Sequence, residues 1–251
     1  MQGAGQGSIR PRAAVTPKPG RYARGALVTL CLCTLITGLA SAERLNRAVG
    51  WPGSTLSGVP CYGEGTSTRF DYVTEKNQLD IVERFHFKES TQQLLDHDSR
   101  LAEDLDYTLR SIPNHHRALW VNVLFYLKLT DRLGSEELQQ RAQRQSGQPP
   151  PECYFHRGKA FNPGDPMVSA IFGVYLHKRG MLSEALQEYR LAEQRMPRNG
   201  ELIYNMGLLF VDMGDLAAAQ DYADRARTLG YSLRGLQRRI DREVANAQTP
   251  G

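Results

Sequence analysis

The stretch that decides the fold is GMLSEALQEYRLAEQRMP, residues 180–197. Ala185, Tyr189 and Ala192 recur in it at spacings of four and three, which places them on one face of an α-helix. Pro197 cannot continue that helix, because proline lacks a backbone donor and clashes with the preceding turn. The stretch therefore predicts a turn followed by an amphipathic helix.

The same pattern returns 34 residues later in the chain. Gly180 aligns with Gly214 in the turn, where glycine suits the left-handed conformation at a helix end. Gly173 aligns with Gly207 in the preceding helix, where a missing side chain lets a neighbouring helix approach closely. Two helical hairpins are therefore predicted between residues 165 and 231. The other pairs at this spacing are Leu176 with Phe210, Leu182 with Leu216, Ala185 with Ala219, and Ala192 with Ala226.

Residues 180–197 resemble the second half of a tetratricopeptide repeat, a family whose period is 34 residues. The resemblance implies an all-α chain, built as an α-solenoid of about three helix-turn-helix repeats over residues 99–231. The repeats are best supported over residues 165–231, and inserted material is expected near residues 130–150.

The repeats are expected to lie between an irregular segment and a capping helix. Residues 43–98 form the irregular N-terminal segment, because the part up to Thr68 is dense in Gly, Ser, Pro and Thr. Residues 232–246 form the C-terminal capping helix, whose apolar face would cover the exposed edge of the last repeat. Its apolar residues follow at spacings of three and four: Leu233, Leu236, Ile240 and Val244.

Residues 1–42 have the parts of a secretory signal peptide with an N-terminal extension. Basic residues precede a 14-residue apolar run from Ala26 to Leu39, and small side chains follow it. We therefore expect cleavage after Ala42 and export, to the periplasm of a bacterium. The alternative is an uncleaved inner-membrane anchor formed by residues 26–39, although a membrane span needs about 20 apolar residues.

The charge distribution argues against nucleic acid as a partner. Residues 1–42 hold five basic side chains and no acidic one, which leaves 26 basic against 27 acidic side chains in the remainder. Phosphate binding needs a concentrated basic face, which a near-neutral chain does not offer.

The cysteines leave one candidate disulfide. Cys31 and Cys33 would leave with the signal peptide, so Cys61 and Cys153 remain. In an exported protein these two can form a stable disulfide. The alternative is that Cys153 is a small buried apolar residue of a helix.

The sequence has none of the common catalytic motifs. It contains no His-Glu-x-x-His, no Gly-x-Ser-x-Gly and no phosphate-binding glycine loop. His115 and His116 follow Pro113 in a predicted turn, and we interpret them as surface residues rather than as a metal-binding pair. No enzymatic activity, cofactor or metal is therefore expected.

The resemblance to the tetratricopeptide family implies a groove. In that family the first helices of successive repeats form a concave wall that binds an extended peptide or a partner's helix. Trp120 and Tyr204 would be its anchors, since aromatic residues often dominate binding energy; the alternative is that both belong to the core. The carboxylate-clamp members need Lys, Asn and Arg in successive first helices. Asn205 occupies one such place, but Ala170 and Val174 occupy two others and do not match that pattern. The expected groove residues are Arg117, Trp120, Leu124, Met167, Ala170, Val174, His177, Lys178, Glu201, Tyr204, Leu208 and Asp212.

Function is accordingly expected to be non-catalytic. The leading hypothesis is a scaffold or adaptor of the bacterial cell envelope that binds a protein or peptide partner through the groove. The alternative is an enzyme or metal-binding protein with its site in residues 43–98 and the repeats as support. A third possibility is an accessory subunit tethered to the membrane by an uncleaved signal. The sequence leaves the partner and the oligomeric state open.

Overall fold

The computed structural model describes residues 50–65, 69–231 and 233–248. The expected signal peptide and its cleavage site lie outside the described residues. Within them the chain forms a short 3-10 helix and eleven α-helices but no β-strand, apart from one isolated bridge between Ser54 and Pro60. The helices are the 3-10 helix Lys76–Gln78, α1 Asp80–His86, α2 Glu89–Gln92, α3 Asp98–Ser111, α4 His116–Leu133, α5 Ser135–Gln143, α6 Pro151–Phe161, α7 Pro166–Lys178, α8 Leu182–Arg195, α9 Gly200–Asp212, α10 Leu216–Thr228 and α11 Arg234–Gln248.

Helices that are close in sequence pack against one another in a regular order. α4 contacts α7, α7 contacts α9 and α9 contacts α11, so these four helices form one row. On the other side of the row, α6 contacts α4 and α7, α8 contacts α7 and α9, and α10 contacts α9 and α11. The chain is therefore all-helical, with a packing of neighbouring helices that is consistent with an α-helical repeat.

The two helical hairpins expected between residues 165 and 231 are present as α7–α8 and α9–α10. Gly180 ends the first turn with φ +74° and Gly214 the second with φ +79°, which is the left-handed region that glycine enters without steric cost. A Cβ placed on Gly173 would lie 2.5 Å from the ring of Tyr189. Glycine is therefore required there, because the ring of α8 lies directly on the backbone of α7.

The C-terminal helix covers the end of the array. Leu236 and Ile240 of α11 are buried and form a small apolar cluster with Val211 and Ala219. The helix spans residues 234–248, close to the predicted 232–246, but Leu233 and Val244 are exposed. No helix in the described part of the chain is both long and apolar enough to cross a membrane.

Helices occur both in residues 130–150, where inserted material was expected, and in residues 43–98, which were expected to be irregular. Residues 130–150 hold the end of α4 and the whole of α5, which buries Leu138 and Ala142. Residues 43–98 hold the 3-10 helix, α1 and α2, and α1 packs on α3. The expectation of an irregular segment is wrong there, because long-range contacts stabilise helices too short to be stable alone.

Residues 50–65, which we name the N-terminal strap, contact α6. A disulfide joins Cys61 to Cys153 across 92 residues of sequence, so the pairing that the cysteine count left open is present. The backbone amide of Leu56 donates to Oε1 of the buried Glu152 at 2.8 Å. The strap is thus part of the folded unit and not a linker.

Candidate functional site

An open cleft, which we name the main cleft, lies between α7 and α9. Its volume is about 650 Å³. The start of α4 closes one end, Arg239 of α11 reaches the other, and Tyr189 of α8 and the following Met196 line the back. Because α7 and α9 belong to the same row of helices, both present one face to the cleft along their whole length.

Most of the residues expected in the groove line this cleft. On each helix these residues lie three or four positions apart, and residues at that spacing share one face of a helix. Leu124 and Tyr204 do not line it. The lining residues that were expected are Arg117, Trp120, Met167, Ala170, Val174, His177, Lys178, Glu201, Leu208 and Asp212.

Tyr204 lies in a second cleft of about 440 Å³ between α9, α10 and α11. Its ring centroid is 5.3 Å from that of Tyr231, and a Cβ on Gly235 would lie 2.6 Å from its hydroxyl oxygen. The expectation that Tyr204 anchors a ligand in the main cleft is therefore wrong. The tyrosine faces the capping helix, and that neighbour can be located only from the tertiary packing.

Leu124 was also expected to line the cleft but does not. It lies two turns into α4, whereas only the first turn of that helix, with His116, Arg117 and Trp120, reaches the cleft.

Several lining residues were not expected. His116 and Asn199 lie where α4 and α9 begin, and Arg239 lies within α11. Ile171, Leu202 and Asn205 lie beside expected positions on α7 and α9. Tyr189 lies on α8 and Met196 directly follows it, and the groove geometry of the family does not assign this second helix to the wall. A helical wheel extended by one position would have found Ile171 and Asn205. No sequence signal points to Arg239.

One end of the cleft is held by a hydrogen-bonded junction around Asp165. His116 Nε2 lies 2.6 Å from Asp165 Oδ2, and Asn114 Nδ2 donates to the same oxygen at 2.8 Å. The amide of Met167 donates to Oδ1 and so caps α7. Burial opposes ionisation of this carboxyl, but these hydrogen bonds outweigh it and hold the pKa of Asp165 below its usual range. His116, which was expected to be a surface residue, is thus partly buried and engaged in a tertiary contact.

His115 is buried as well and caps α4. Its Nδ1 accepts from the amide of Ala118 and its Nε2 lies 3.0 Å from Glu83 Oε1, so the imidazole is neutral with the proton on Nε2. Desolvation by burial lowers the pKa of His115 to about 3. Both histidines of the turn thus serve tertiary contacts that span tens of residues.

The other end of the cleft is held by Asp212. Its carboxylate accepts from His177 Nε2 at 2.7 Å and forms an ion pair with Arg239, which links α7, α9 and α11. Burial opposes ionisation, but the bonds from Arg239 and His177 outweigh it and lower the pKa of Asp212. Asp212 therefore remains a carboxylate at neutral pH with both partners satisfied.

Four polar side chains of the cleft have no such engagement. Lys178, Glu201 and Asn205 form no hydrogen bond or ion pair with any residue that the structure describes. The hydroxyl of Tyr189 is buried and also has no hydrogen-bond partner in the described ranges, although the residue is only 1% exposed. Lys178 and Glu201 are exposed to solvent, whereas the hydroxyl of Tyr189 is not.

The described residues contain no group of three or more His, Cys, Asp or Glu side chains placed to hold a metal ion. The chain matches no protein-family model, no curated protein and no solved structure.

Proposed function

We propose that the helices form a right-handed solenoid of three tetratricopeptide repeats. The first repeat pairs α4 with α6 and carries α5 as an insertion, the second is α7–α8, and the third is α9–α10. α3 supplies a half-repeat in front and α11 is the cap. The 34-residue period and the alternating contacts along the row support this assignment.

The proposed function is that of a non-catalytic scaffold or adaptor, which holds a protein or peptide partner in the cleft. One observation carries it: the cleft combines an apolar wall with polar side chains that have no partner within the described chain. Trp120, Met167 and Val174 supply apolar surface, and Lys178 and Asn205 supply donors. Its volume of about 650 Å³ lies within the range of ligand sites in proteins.

An exported location fits this proposal. The disulfide between Cys61 and Cys153 supports it, because such bonds persist in oxidising compartments and are rare in the cytosol. N-terminal sequencing of the protein recovered from the envelope tests the expected cleavage after Ala42. If the recovered protein still contains residues 26–39, the alternative of an uncleaved membrane anchor would be favoured instead.

The experiment that tests partner binding compares two aromatic substitutions in the full chain. Trp120→Ala removes apolar surface from the cleft, whereas Tyr204→Phe alters an aromatic residue of the other cleft. We expect capture of partners from envelope extract to fall several-fold with Trp120→Ala, while circular dichroism shows the same helix content. Capture that is equal in both variants and the parent would remove the cleft from the proposal.

A further inference from the structure

Two of the three Lys and Arg side chains that line the cleft lie at one end. Lys178 and Arg239 lie there with His177, and the carboxylate among the described lining residues at this end is Asp212. Asp212 is already engaged by both His177 and Arg239. Lys178 has no acceptor in the described chain, so this end carries an excess of one positive charge even with His177 neutral.

The opposite end is apolar with balanced charge. Trp120 and Met167 line it, and both pack against the main core while staying partly exposed. Arg117 is turned to the α2 side, since it donates to Gln92 and lies 5.9 Å from the centroid of the Phe87 ring. Glu201 offsets the charge of Arg117 there, and His116 is paired with Asp165.

The distance between the two ends sets the length of the occupant. Met167 and Lys178 are both on α7, and a helix rises 1.5 Å per residue, so they are about 17 Å apart along its axis. An extended chain advances about 3.3 Å per residue. About five extended residues therefore reach from the apolar end to the basic end.

We propose that the cleft binds an extended acidic peptide segment, with a large apolar side chain at the Trp120 end and a carboxylate about five positions away at the Lys178 end. This inference rests on the proposed function and names the partner's chemistry. Lys178 supplies the unpaired charge, Arg239 and His177 strengthen the local positive potential, and Trp120 supplies the apolar contact. The arrangement does not use a clamp of Asn side chains, since Ala170 and Val174 occupy those places.

The test uses the full chain and fluorescein-labelled six-residue peptides with blocked ends. Four peptides carry leucine or alanine at the first position and glutamate or glutamine at the last, with glycine and serine between, and each is also made in reversed order. Fluorescence anisotropy measures the dissociation constants. The leucine–glutamate peptide in one of its two orders should bind tightest. Replacing its glutamate by glutamine should weaken binding about threefold to fivefold, as expected of a partly screened ion pair.

Two charge-removing variants locate the effect. Lys178→Gln should abolish the preference for glutamate over glutamine, and Lys178→Glu should reverse it. Arg190→Gln is the matched control, because this substitution also removes one positive charge. Arg190 is exposed on α8 and lies outside the cleft. Raised salt should reduce the preference in the parent protein.

The outcomes separate this inference from the proposed function. Equal binding of the glutamate and glutamine peptides overturns the charge assignment, and so does a preference for glutamate that survives Lys178→Gln. In either case the proposed function stands if partner capture is still reduced by Trp120→Ala. Failure of the leucine–glutamate peptide to bind in either order also overturns the inference. Capture that is insensitive to Trp120→Ala overturns the proposed function itself.

Discussion

The buried hydroxyl of Tyr189 allows a direct test of how the residues behind the cleft contribute to stability. Tyr189 is 1% exposed, its ring lies against Gly173, and its hydroxyl has no hydrogen-bond partner in the part of the chain that the structure describes. A buried donor without an acceptor costs about 1–3 kcal/mol. Tyr189→Phe removes that group and keeps the ring. We expect the free energy of unfolding to rise by about 1–2 kcal/mol, which corresponds to an increase in Tm of about 2–6 °C for a domain of this size.

Urea denaturation followed by circular dichroism at 222 nm measures the change, with Tyr154→Phe as the matched control. Tyr154 is also buried in the core, but its hydroxyl donates to Asp106 at 2.7 Å. The same substitution there should lower the free energy of unfolding by about 1 kcal/mol. If Tyr189→Phe is destabilising, or if both variants lose the same stability, the reasoning about the unpaired hydroxyl is refuted.

Tyr189 also lines the cleft, but its hydroxyl has almost no accessible surface. A ligand in the cleft therefore cannot reach that oxygen, and Tyr189→Phe should bind the leucine–glutamate peptide as tightly as the parent protein. Weaker binding by this variant would mean that the hydroxyl becomes accessible when the peptide binds.

Three further predictions concern stability. Replacing Cys61 and Cys153 by serine should lower the free energy of unfolding by about 4–5 kcal/mol in the chain-entropy description, because the bond closes a loop of more than ninety residues; urea denaturation of the parent with and without reductant checks it. Since burial lowers the pKa of His115 to about 3, the unfolded chain binds a proton that the folded chain does not between that value and about pH 6.5. Stability should therefore fall as pH drops from 6.5 to 4.5, by about 2 kcal/mol, and His115→Asn, which keeps an acceptor for the helix cap, should flatten the profile. Gly173→Ala should destabilise by more than about 2 kcal/mol, because its Cβ would lie 2.5 Å from the Tyr189 ring, as thermal unfolding would show.

Each of these has an outcome that contradicts it. Equal urea midpoints with and without reductant would mean that the strap adds nothing to the folded unit. A pH profile that His115→Asn leaves unchanged would assign the acid sensitivity to carboxylates such as Asp165. Gly134→Ala is unsuitable as a comparison because of its positive φ, whereas Gly164→Ala meets only a flexible arginine side chain and should cost much less than Gly173→Ala.

Much of the cleft could be predicted because it depends on local periodicity. Once Gly180 and Gly214 set the ends of two first helices, the spacing of 3.6 residues per turn assigns Val174, His177 and Lys178 to one face. The same arithmetic brings Leu208 and Asp212 to the corresponding face of α9. It fails for Tyr204, which lines the second cleft instead, beside the capping helix.

The sequence by itself determined the two helical hairpins, the turns between them and the faces that their helices present, because spacings of three and four residues and the conformational range of glycine act within a few residues of chain. Only the tertiary structure decided that His116 meets Asp165 across 49 positions, that Arg239 reaches Asp212, and that the N-terminal strap is joined to α6. Such contacts join groups distant in sequence, and their partners depend on how whole helices pack. A local sequence pattern does not predict that packing.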